Sequence, residues 1–174
     1  MQQNVKFITQ TAVSKLKQQA RMLKKAEGIM HHEALNRVAQ FAGYSHWHAV
    51  ITIARRSLPT ELAYRSGLIF AFDSAESLDI GKETNHFVRD DMAVLLCADD
   101  IEKFYCEGEG VPVERWGSPA DKDEWLEEEM SIYAFYRYTG TVLPSSLEEA
   151  ITMASELFWS PIFAWHKGQF CLVP

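Results

Sequence analysis

The chain has 174 residues, 47% of them hydrophobic, with a formal net charge of −7. That composition excludes an unfolded polar chain and allows one domain with a real core, or a domain with a small companion. Its longest apolar runs, "GLIFAF" and "MAVLLCA", are far too short to cross a bilayer, so no membrane partner is expected.

The average charge hides a split. Residues 1–58 hold nine Lys/Arg against Glu27 and Glu33, a balance of +7, whereas residues 59–174 hold eight Lys/Arg against twenty-two acids, a balance of −14. Two parts with different tasks are expected: a basic module over 1–58 and an acidic domain over 59–174. The N-terminus lacks the apolar stretch of a signal peptide. Cys97, Cys106 and Cys171 show no paired spacing. Reduced thiols and a cytoplasmic location are the corresponding expectations.

In chain order, "TAVSKLKQQARMLKKAEG" predicts a helix from a Thr11 cap to a Gly28 stop, with Val13, Leu16, Ala20 and Leu23 as its apolar stripe. Lys17, Arg21, Lys24 and Lys25 fall within an arc of about 100° on an adjacent face. "HEALNRVAQFAG" predicts a second helix facing inward through Ala34, Leu35, Val38, Ala39 and Ala42. "YSHWHAVITIARRS" predicts a third, capped by Ser45 and ended by Pro59, with Arg55 and Arg56 in its last turn. A strand is expected at 68–73, then irregular polar chain to Asp91. A helix follows, with Val94, Cys97, Ala98, Ile101, Phe104 and Tyr105 on one face. After a loop, Ser118 and Pro119 start a long helix that runs to Gly140. Ser146 and Glu149 form a capping box for another helix, which carries Leu157 and Phe158 on its apolar face. Strands at 162–166 and 169–173 close as a hairpin turning at Lys167-Gly168. The expected fold class is α+β: a three-helix, helix-turn-helix-like unit followed by a small α/β domain with few strands.

"HHEALNRVAQFAGYSHWHAV" concentrates four histidines, and a metal site is the first possibility to weigh. Residues two apart on a helix point nearly opposite ways, so His46 and His48 do not suit one ion, and HExxH is absent. No metal and no cofactor is expected. The same stretch has the outline of two helices joined by a glycine turn, with Ala39, Gly43 and Ala49/Val50 where a helix-turn-helix places its small, turning and packing residues. The third helix would then read nucleic acid. The candidate binding residues are Lys17, Arg21, Lys24, Lys25, His46, His48 and Arg55, all able to donate to phosphates or base edges. An acidic protein surface would suit the same cations.

Leu16, Lys17, Ala20, Leu23, Ile29, His31, Ala34, Leu35, Ala39, Gly43, Tyr44 and Trp47 form a spaced pattern across residues 13–50. It resembles a short N-terminal module of glyoxalase-superfamily-related proteins and of plasmid-borne bacterial proteins. The resemblance implies a helical docking module in a bacterial mobile-element context. It transfers no catalytic residue and does not imply lyase activity.

The acidic part carries no GxGxxG, P-loop, GxSxG or zinc-deaminase signature, and leaves enzymatic activity open. Asp99 with Glu102 and Lys103 could support acid–base or Mg²⁺ chemistry, though nothing sets these acids apart from ordinary surface ones, and the hairpin could bring Cys171 near His166, though a strand cysteine in apolar company reads as core. The aromatics of "SIYAFYRYTG" and "LFWSPIFAWH" suggest either a core or a protein interface. Three functions follow as expectations. The foremost is a non-enzymatic accessory protein that binds nucleic acid or an acidic partner through its basic module and another protein through its acidic domain. The others are a toxin or nucleic-acid-modifying enzyme working through residues 83–107, including His86, and an acidic nucleic-acid mimic.

Overall fold

A computed structural model describes residues 6–77, 83–84, 86–108, 119–156 and 160–173. Ser118, Leu157, Phe158 and the loop over 109–118 lie outside the described residues. The chain is α+β and forms two compact units, Met1–Glu61 and Leu62–Pro174.

The first unit is built from α1 (Gln10–Glu27), α2 (His31–Phe41) and most of α3 (Trp47–Ser66). Thr9, not Thr11, caps α1: its side-chain oxygen accepts the Ala12 N–H at 3.1 Å. Gly28 ends the helix in the left-handed region, as its sequence position predicts. Two small cores hold the unit. Val13 of α1, Ala39 of α2 and Val50 and Ala54 of α3 form one, with Ile8. Ala20 of α1 with Ala34 and Val38 of α2 forms the other. Ala42, expected inside, is exposed, because α2 has ended by then.

The third helix departs from expectation at both ends. Its first residue is Trp47, and Pro59 lies within it rather than ending it. Pro59 is exposed on the outward face, where water can take the Arg55 carbonyl that the proline leaves without an intrahelical donor. The inward face stays buried past it through Ser57, Thr60 and Glu61, so tertiary packing outweighs the local break.

The second unit is an antiparallel sheet of order β2-β3-β4-β1-β5-β6 between helices. Its strands are β1 (Leu68–Asp73), β2 (Glu83–Thr84), β3 (Phe87–Arg89), β4 (Tyr133–Tyr138), β5 (Phe163–His166) and β6 (Gln169–Leu172). Alternation sends Ile69, Ala71, Tyr133, Phe135, Phe163 and Trp165 to one side, where α4 (Val94–Lys103) supplies Cys97 and Ile101. Leu68, Phe70, Phe72, Ala134, Tyr136 and Ala164 go to the other, against Ala150 and Ala154 of α6 (Leu147–Ser155). The hairpin turns at Lys167-Gly168, both with positive φ (52° and 80°), which is the two-residue type I′ geometry.

Three segments correct the sequence reading. The helix expected to run to Gly140 is α5 (Pro119–Ser131), and it stops there, with Tyr133–Tyr138 forming an inner strand. Both faces of that strand are covered, so its residues, Arg137 apart, are aromatic or small without alternation and imitate a buried helix. The polar stretch before Asp91 contains the short pair β2 and β3, which registers Phe87 against Tyr138. The loop expected from Cys106 begins as one π-helical turn, Phe104–Gly108, continuing α4.

Candidate nucleic-acid interface

The basic character of the first unit is concentrated by one arginine. Arg37 on α2 holds Glu27 at 2.6 Å and Glu33 at 2.7 Å, the latter an i,i+4 pair. Both acids of residues 1–58 are therefore engaged by a single cation. The one further acid of the unit, Glu61, is buried and accepts the Gln10 N–H at 2.8 Å, setting a carboxylate on the N-terminus of α1 where the helix dipole favours it. Lys17, Arg21, Lys24 and Lys25 are all exposed along α1. Among the described residues, no carboxylate forms an ion pair with any of them.

The α2–α3 junction is a tightly specified corner. Gly43, at φ 80°, follows the last turn of α2. The Tyr44 N–H reaches the Ala39 carbonyl at 2.9 Å and the Gly43 N–H reaches Gln40 at 3.0 Å, the paired bonds of a Schellman stop. Any side chain at Gly43 would need a left-handed backbone. The Asn36 side chain then accepts the Trp47 N–H at 2.9 Å, so α2 itself caps α3.

The two histidines of α3 have different roles. His46, not Ser45, occupies the cap position: its Nδ1 accepts the Ala49 N–H at 3.0 Å. Because it lies outside the helix proper, its ring folds over the first turn and comes within 6.2 Å of the His48 ring, rather than pointing away as helical spacing predicted. One nitrogen of His46 is thus spent on the backbone, and only its Nε2 edge is available to a ligand. His48 and Arg55 are exposed and seven residues apart, hence on one face of α3, with Thr52 between them. The structure therefore offers two exposed faces: four cations on α1, and His48, Thr52 and Arg55 on α3. The capping Asn36 and the charge-masking Arg37 were not singled out by the sequence, which marked His46 as a binding residue. Only the Glu33–Arg37 spacing carried a local signal.

The second unit uses its titratable groups internally. Asp99 is exposed; its neighbour Asp100 is half-buried and accepts the Tyr64 hydroxyl at 2.8 Å and the Trp165 indole N–H at 2.9 Å, both on Oδ2. Burial, then the Asp100 bond and charge, pushes the Tyr64 phenol well above its ordinary value. Burial pushes the Cys97 thiol up as well, with Asp100 and Asp90 adding to it. Tyr133 donates to Glu129 at 2.7 Å and shares a 2.6 Å bond with Tyr105; burial first, then those bonds, raise it strongly. His86 is exposed in a left-handed turn whose carbonyl receives two bonds from Thr139, far from any of these groups in the bonding scheme. His166 lies 3.3 Å from the Pro144 carbonyl, while Cys171 sits opposite Ala164 and donates to Gln169. His166 and Cys171 are thus each engaged with a separate backbone carbonyl. Among the described residues, no three His, Cys, Asp or Glu side chains converge as a metal site. Tyr133, Phe135, Tyr136, Phe163 and Trp165 are buried, so these aromatics are core and not a protein-binding surface. Among the described residues, no helix is long and apolar enough to cross a membrane.

No protein-family model, curated protein or solved structure matches the chain.

Proposed function

We propose that the chain is a nucleic-acid-binding accessory protein whose basic helical unit contacts phosphates through Lys17, Arg21, Lys24 and Lys25 and approaches bases through His48 and Arg55. One observation carries the proposal: the four α1 cations share an exposed face with no described carboxylate against them, while Arg37 engages both nearby acids. Cations left free in this way release counterions from a polyphosphate when they bind it. The glycine corner between α2 and α3 supports a helix-turn-helix mode of approach, and the resemblance of residues 13–50 supports an accessory role in a bacterial mobile element. His46 contributes through the architecture of α3 more than through contact.

The test is a salt series on the full chain with a fluorescent DNA duplex and an RNA hairpin, read by anisotropy. Four phosphate contacts give a slope of about −3.6 in log K against log [salt], and a fifth from Arg55 brings it to about −4.5. Replacing the four α1 cations by alanine brings the slope to about −1. Absence of binding at about 50 mM salt, or an unchanged slope in the quadruple variant, refutes the proposal.

A further inference from the structure

The cationic arc is not the only outward face of α1. Gln19, Met22, Leu23 and Ala26 line a groove of about 440 Å³ whose other wall is Val38 and Phe41 of α2. Phe41 is 87% exposed and Met22 66%, although the groove they line also includes Val38 of the unit's own core. The positions on α1 are i, i+3, i+4 and i+7, the spacing against which an amphipathic helix packs. At helical advance the groove is centred roughly 160° around α1 from the centre of the cationic arc, so the two faces serve different ligands.

The rim has a polarity that selects the occupant. Lys15 lies four residues before Gln19 on the same face, and Lys25 lies three after Met22; both are exposed. They mark the α1 edge over about 15 Å, the length of ten helical residues. On the α2 edge Arg37 stands four residues before Phe41, and its charge is taken up by Glu33 of α2 and Glu27 of α1. An occupant must be apolar in the middle and acidic along the edge that meets α1.

We infer that this groove docks an amphipathic helix of a protein partner, about three turns long, with apolar anchors at i, i+4 and i+7 and one acidic flank. Methionine walls suit such a partner because the unbranched thioether adapts to the anchors presented. The groove shares Lys25 with the cationic arc and is otherwise distinct from it, so peptide binding is read separately from nucleic-acid binding.

The probe is a fluorescein-labelled helical peptide of about fourteen residues, four turns long, with leucines at the anchor spacing and glutamates on one flank. A twin carries lysine in place of each glutamate. Both are titrated into the full-length protein, with ¹³C-methyl methionine spectra recorded alongside. The glutamate peptide should bind with Kd below about 100 μM and shift the Met22 methyl signal while leaving buried Met92 in place. The lysine twin should bind at least about tenfold more weakly. Phe41→Ser should weaken the glutamate peptide about tenfold or more, without loss of helical circular dichroism, because the ring is almost wholly in solvent. The double charge reversal Lys15→Glu with Lys25→Glu should invert the preference between the two peptides. Equal binding of the twins, no binding of either up to about 1 mM, or an unaffected Phe41→Ser variant overturns the inference. So does self-association at micromolar concentration that Phe41→Ser abolishes, since the occupant is then a second copy of the chain.

Discussion

Two adjacent aspartates at the middle of α4 provide a sharp test of which acids this fold depends on. Asp100→Ala removes the single oxygen that accepts from Tyr64 and Trp165. Trp165 is fully buried, so its indole N–H loses its partner without gaining water, a cost of about 1–3 kcal/mol. The Tyr64 hydroxyl is half-buried and can turn to solvent, which adds about 0.5–1 kcal/mol. The expected loss is therefore about 1.5–4 kcal/mol. With a urea m-value of about 2 kcal/mol/M, the unfolding midpoint should fall by about 0.75–2 M. Asp99→Ala removes an exposed carboxylate and should stay within about 0.5 kcal/mol of the parent. Asp100→Asn keeps an acceptor oxygen and should fall between. A double-mutant cycle of Asp100→Ala with Tyr64→Phe should show coupling of about 0.5 kcal/mol or more. Equal midpoints for the two alanine variants, or zero coupling in the cycle, would refute the assignment of Asp100 as the tie between α4, the end of α3 and β5.

Four further outcomes follow from the structure. Gly168→Ala should cost more than Gly43→Ala in urea unfolding: both need a left-handed backbone, worth about 1–2 kcal/mol for an L residue, but a Cβ at 168 would also meet the Arg65 carbonyl oxygen at 2.6 Å while one at 43 meets open space. Stability should be flat through neutral pH and fall on the alkaline side. Tyr64, Tyr133, Tyr136 and Cys97 hold their protons more tightly when folded, so their contribution is complete below the unfolded values, near 8.5 for a thiol and 10 for a phenol, and is lost above them at no more than about 1.4 kcal/mol per pH unit per group. An unfolding midpoint constant from about pH 8 to 10.5 would contradict this. Asn36→Ala should lower stability by about 1 kcal/mol through the lost cap on Trp47, measured by thermal or urea melts. His46→Asn should retain stability, because asparagine caps equally well, and change nucleic-acid affinity less than Arg55→Ala does in the anisotropy assay.

What the amino-acid pattern revealed depended on how local the cause was. The Gly28 stop, the Ser146 cap on α6 and the Lys167-Gly168 turn are set by a few consecutive residues, and all three stand where the pattern puts them. The Glu149 carboxylate also takes the Ser145 N–H and hydroxyl. β4 was hidden because it is covered on both faces and follows a helix-favouring acidic run without a glycine or proline between them. Pro59 misled for the opposite reason: its local preference is strong, but the buried residues around it hold α3 together. Asp99 and Asp100 are indistinguishable by type. The difference lies in a contact with Trp165, sixty-five residues away. On the candidate interface, the exposed α1 cations were legible from helical spacing, whereas the masking of Glu27 by Arg37 requires α1 and α2 to be packed together first.

The first unit distributes its side chains in a way that argues against surplus apolar surface. Its cores are made largely of small residues: Ala20, Ala34 and Ala39 are fully buried and Ala54 nearly so. Alanines let helices approach closely but bury little apolar area, at about 25 cal/mol per Å². Meanwhile Met22 and Phe41, far richer in apolar surface, stand outside at the lip of the same α1–α2 contact. A chain shaped by its own stability alone gains more by exchanging the two sets, since burying a phenylalanine or methionine contributes about 1.5–3 kcal/mol. The arrangement makes sense when α1 answers to three neighbours at once. Val13 and Ala20 face the unit's own interior, while we propose a polyanion for the lysines and Arg21 and an incoming helix for Met22 with Ala26. With 3.6 residues per turn, eighteen residues suffice for all three faces, Lys25 being shared between the last two.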